Sequence, residues 1–187
     1  MSLVSNLNDE ERKYIDVMSK IHVYTKKYLL LAEESAEAGE CFLQPLKEHR
    51  DAYEHLMRCY IADIENNGCD EDELFQYITS NLSKALGHEY RAFFDTADWF
   101  TYILRRWIRI KLSSEGEYIC KNKIPNYAEI KSFINELPYK IANLRSGKDI
   151  GNVQENEDGL LPEINEYIEI MDKLIKIKGE IVEKIGL

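Results

Sequence analysis

Residues 45–64 run Pro45-Leu46-Lys47-Glu48-His49-Arg50-Asp51-Ala52-Tyr53-Glu54-His55-Leu56-Met57-Arg58-Cys59-Tyr60-Ile61-Ala62-Asp63-Ile64. Proline has no N–H to donate, so Pro45 belongs in the first turn of a helix or at a kink in one long helix. From there Leu46, Tyr53, Leu56, Met57, Tyr60, Ile61 and Ile64 recur at helical period. They predict an amphipathic helix that stops before Asn66-Asn67-Gly68. Its other side carries Ala52, His55, Cys59 and Ala62, also at helical spacing. The expectation is a helix covered on both flanks: the apolar one by its own fold, the small one (Ala52, His55, Cys59, Ala62) by a second copy or another protein.

The same period continues on either side. Asn8 with Glu11 has capping-box spacing, and Tyr14, Met18, Ile21, Thr25, Tyr28 and Ala32 then line one face of a helix from Asp9 to the late thirties. Ala32, Ala36 and Gly39 make that stripe small enough for close helix crossing. Acidic residues from Asp70 to Glu73 open a helical pattern that continues to about Leu112 and is interrupted at Gly87. Residues 113–125 read as a loop. Asn126 then caps a helix to about Leu144 with a bend at Pro138, and 146–159 is a polar connection. Pro162 opens a last helix, 162–185, with Ile164, Ile168, Met171, Ile175 and Val182 inward. The fold class expected is all-α: one domain, 1–187, folded as an up-and-down bundle of five or six helices.

Composition narrows the function. The 187 residues are enough to bury a core without disulfide or metal support. Thirty-four acidic against 24 basic side chains leave a net charge of −10, which disfavours broad attachment to nucleic acid or anionic lipid. Cys41, Cys59, Cys69 and Cys120 form no CxxC pair and read as reduced thiols. The polar N-terminus lacks a signal-peptide pattern and no apolar run approaches the ~20 residues of a membrane span, so a cytoplasmic protein is expected. No dinucleotide, P-loop, nucleophile-elbow, metalloprotease or EF-hand motif occurs.

Two polar patterns stand out. His88, Arg91, Asp95, Asp98, Tyr102, Arg106 and Arg109 fall on one side of the helix after Asp70. They read as a polar network between helices, or as an anion site in which Asp95 orients a histidine and the arginines grip phosphate.

The second pattern is Arg50-Asp51-Ala52-Tyr53-Glu54-His55. In a helical chain it resembles the Arg-x(4–6)-His signature, with a polar residue after the arginine, of the higher eukaryotes and prokaryotes nucleotide-binding (HEPN) superfamily. That resemblance implies a homodimer in which two motifs meet and cut RNA without a metal. His55 would then be general acid or base and Arg50 would stabilise phosphorane charge, with Asp51 beside it. On one straight helix Arg50 and His55 lie about 140° apart, so a bend or a partner copy must bring them together. Met57 stands where some members carry a modifiable tyrosine, so that variant is not implied.

Glu33, Glu34, Glu37 and Glu40, with His49 downstream, read as a solvated acidic face because no Glu-x-x-His motif or His pair at metal spacing exists. Neither a metal nor a cofactor is expected. The leading expectation is a non-catalytic helical module that forms a homodimer or higher oligomer and binds a protein partner; the alternative is a HEPN-like endoribonuclease using Arg50 and His55, with RNA a partner only in that case.

Overall fold

The structure, a computed structural model of the chain, describes residues 8–37, 42–64, 70–146 and 161–185. Among these it is all-α, with six helices: α1 (Asp9–Ser35), α2 (Gln44–Ile64), α3 (Glu71–Ser114), α4 (Glu117–Lys123), α5 (Tyr127–Ser146) and α6 (Pro162–Ile185). Gly39, Cys41, Cys69, the 66–68 turn and the connection 147–159 lie outside the described residues. No helix among the described residues is long and apolar enough to cross a membrane. The chain divides into two compact units, one of Met1–Leu30 and Cys41–Thr96, the other of Leu31–Glu40 and Ala97–Leu187. Helices α1 and α3 contribute residues to both.

Local chemistry sets the helix boundaries. Asn8 and Glu11 cap α1 reciprocally: the Glu11 amide donates to Asn8 Oδ1 (2.9 Å) and the Asn8 amide to Glu11 Oε2 (3.0 Å). Pro45 sits in the first turn of α2, where its missing donor costs nothing, so it opens a new helix and does not kink a longer one. Helix α3 runs 44 residues and passes Gly87 without a break. Glycine in a helix interior costs about 1 kcal/mol against alanine. Burial of Leu82, Ala85, Leu86 and Tyr90 around Gly87 offsets it.

In the second unit, residues 113–125 are not simply a loop. Gly116, at φ 81°, takes the left-handed conformation open to glycine, and α4 follows it. Cys120 and Ile124 are fully buried and anchor this short helix, which touches α5 and α6. Helix α5 continues through Pro138. Proline removes the N–H that would bond the Ile134 carbonyl, and Arg109 Nη2 supplies a donor to that oxygen at 3.2 Å. On α6 the inward set is rotated from the expected one. Ile164, Tyr167, Ile170, Met171, Leu174, Ile177 and Ile181 are buried, whereas Ile168, Ile175 and Val182 are half-buried.

The first unit reverses the expected orientation of α2. Leu46, Tyr53, Tyr60 and Ile61, expected inward, are 48%, 60%, 42% and 49% exposed. Ala52 is buried and His55, Cys59 and Ala62 are half-buried, so the flank expected to meet another chain packs within its own unit. There the Cys59 thiol lies 3.6 Å from the Ile78 carbonyl on α3, and His55 Nδ1 lies 2.9 Å from Asn81 Oδ1. Periodicity reveals two stripes but not which one turns inward. Polar partners on α3 decide it, because buried polar groups must be hydrogen-bonded.

Candidate functional site

All four histidines of the chain lie in the first unit: His22 on α1, His49 and His55 on α2, His88 on α3. Two dipeptides of opposite order organise them. Helix α2 presents Glu48-His49 and α3 presents His88-Glu89. Each carboxylate meets the other helix's imidazole: His88 Nδ1 donates to Glu48 Oε2 at 2.8 Å, and His49 Nδ1 lies 2.9 Å from Glu89 Oε1. A carboxylate only accepts, so the proton between His88 and Glu48 sits on Nδ1.

The two halves differ electrostatically. Glu48 also accepts from Arg91 Nε at 2.9 Å, so a guanidinium and an imidazole share its Oε2. Burial, the largest single influence on Glu48, favours its neutral form. The bonds from His88 and Arg91 together outweigh burial and hold its pKa below the ordinary value. Among the described residues the ion-pair partners of Glu89 are histidines. His49 Nδ1 approaches one oxygen, and His22 Nδ1 stands 3.5 Å from the other without hydrogen-bond geometry. That second oxygen, Oε2, is buried and has no hydrogen bond. The rings of His22 and His49 meet edge-on, with centroids 5.0 Å apart. Beyond them, His55 stacks on His88 with centroids 5.5 Å apart.

Asn81 fixes the tautomer of neutral His55. Its amide nitrogen donates to the Tyr77 carbonyl (2.9 Å), so its oxygen faces His55 and must accept from Nδ1. In neutral His55 the lone pair is therefore on Nε2, the form a general base requires. Arg50 does not share this setting. It is exposed and pairs with Asp51 through Nε (3.0 Å) and Nη2 (2.6 Å). That bond is the largest cause of the raised pKa of Arg50 and the lowered pKa of Asp51. Among the described residues no hydrogen bond joins Arg50 to His55.

The polar seam of α3 divides between the units. His88, Arg91 and Asp95 belong to the first, and the carboxylate on His88 Nδ1 is Glu48. Asp98, Tyr102, Arg106 and Arg109 belong to the second, where the charges serve separate contacts. Asp98 accepts from the Tyr167 hydroxyl at 2.6 Å and pairs with Arg145 at 3.2 Å. Arg106 pairs with Glu37 at 3.2 Å, Arg109 reaches the Ile134 carbonyl, and Tyr102 is exposed. Within the second unit each of these cations meets a different protein group.

His22, Glu48, Asn81 and Glu89 are central to the cluster, yet sequence reasoning gave them no role. Glu48 and Glu89 are signalled in the sequence by the mirrored pair Glu48-His49 and His88-Glu89, whereas His22 and Asn81 carry no such signal. No protein-family model, no curated protein and no solved structure matches the chain.

Proposed function

We propose that this chain is a helical module that self-associates through the outer face of α2. The observation that carries this reading is the spacing of four exposed residues and the half-buried Met57 on the outer side of α2. Leu46, Arg50, Tyr53, Met57 and Tyr60 succeed one another at intervals of four, three, four and three residues. That is the seam of a helix that packs along another helix, and Ile61 flanks it. The seam extends over about 21 Å, and three of its apolar members, Leu46, Tyr53 and Tyr60, are more than two-fifths exposed. Contiguous exposed apolar surface with aromatic residues marks interaction sites, and a seam on a single helix is self-complementary about a two-fold axis. One polar position, Arg50, sets register.

Sedimentation of the full chain at micromolar concentration tests the reading. A dimer is expected, and Tyr53→Glu should give a monomer with unchanged helical content. A wild-type monomer, or a dimer indifferent to Tyr53→Glu, overturns it.

One observation favours a second reading, the HEPN-like endoribonuclease: the bond to Asn81 leaves the lone pair of neutral His55 on Nε2, as a general base requires. That activity predicts metal-independent RNA cleavage lost in both Arg50→Ala and His55→Ala. Equal RNA turnover by wild type and variants, or none at all, removes it.

A further inference from the structure

We propose that His22, His49 and Glu89 form a binding site for a divalent transition-metal ion of the zinc class. The three residues come from α1, α2 and α3 of the first unit, and one donor atom from each lies within 4.8 Å of the other two. Two imidazoles and a carboxylate are a ligand set suited to zinc and its neighbours when at least one position stays open. Donors held about 2.0–2.2 Å from such an ion stand roughly 3 to 3.4 Å from one another. The Nδ1 atoms of His49 and His22 lie 2.9 and 3.5 Å from the two Glu89 oxygens, so the donors already stand near ligand spacing.

A second, independent observation points to a ligand. Glu89 is only 8% exposed, and its Oε2 is buried without a hydrogen bond. An unsatisfied buried carboxylate oxygen is costly, and a cation placed between it and His22 removes that cost. The neighbouring Glu48 site is a poor rival, because the Arg91 guanidinium already pairs with that carboxylate and His88 is hydrogen-bonded to it. His22 is 53% exposed at its side chain, so the site opens to solvent on the α1 side, where water can take a remaining position. An ion there would tie three helices together, which explains why spacing within any one helix does not reveal it.

Metal ligation needs a lone pair on each Nδ1. In a neutral His49 ring the single proton then sits on Nε2, so ligation through Nδ1 is a change of tautomer.

Calorimetric titration of the chelator-treated full chain with Zn2+ tests the proposal. One ion per chain and a raised thermal midpoint are expected. Affinity should fall by ~100-fold or more in His22→Ala, whose exposed position leaves folding intact, and in Glu89→Gln, and it should be unchanged in His55→Ala. Co2+ should report the site by a d–d absorption band that His22→Ala abolishes. The absence of saturable Zn2+ uptake overturns the site, as does uptake that survives His22→Ala. Neither result depends on the oligomeric state, so this test stands apart from that of self-association.

Discussion

Arg109 donates to the backbone carbonyl of Ile134, the oxygen that Pro138 leaves without a helical donor. A side chain on α3 thus completes the hydrogen bonding of α5 within the second unit. Arg109→Ala should lower stability by about 1–2 kcal/mol in denaturant unfolding, because Ile134 is buried and its carbonyl loses its partner. In a Pro138→Ala background the helix supplies that donor itself, so the same substitution should cost under about 0.5 kcal/mol. The double-mutant cycle measures the coupling directly.

Glu48 predicts a pH dependence. Its folded-state pKa is depressed, so it contributes stability above its unfolded value, about 4.3, and that contribution is lost as pH falls through the lower folded value. Between pH 5 and 3, wild type should lose stability more steeply than Glu48→Gln, which has no carboxylate to protonate. Parallel stability curves across that window would contradict the assignment.

Tyr167 is fully buried and donates to Asp98 Oδ1 at 2.6 Å. Burial first, and the bond to Asp98 second, push its phenol far above the ordinary tyrosine range. Spectrophotometric titration should show that wild type and Tyr167→Phe ionise the same number of tyrosines up to the alkaline unfolding point. The substitution should also cost about 1–3 kcal/mol, since Asp98 keeps only Arg145 of these two partners.

Replacing Asn8 with alanine removes one arm of the α1 cap. A loss of about 1 kcal/mol in thermal or urea unfolding is expected, with the metal affinity of His22, four turns into the helix, unaffected.

Much of the architecture is legible in the sequence because its signals are local. The Asn8–Glu11 spacing, Pro45, the acidic turn after Asp70 and Pro162 each state a helix start in residues that do the capping themselves. What a single helix cannot state is which flank turns inward. On α2 Leu46, Tyr53, Tyr60 and Ile61 of the larger apolar stripe are exposed, because His49, His55 and Glu48 find their partners at Glu89, Asn81 and His88 on α3. Nor does Gly87 announce that packing will carry α3 through it. The site is hidden for the same reason: its ligands stand on three helices and share no spacing rule.

The mirrored order of Glu48-His49 and His88-Glu89 acts as a two-letter key. Exchanging the letters on α2 alone would set acid against acid and ring against ring, whereas exchanging them on both helices would restore matched pairs without changing composition. Pairing of α2 with α3 is therefore written partly as an alphabet of order, and a shift of α3 by one residue along its partner would be misspelled at once.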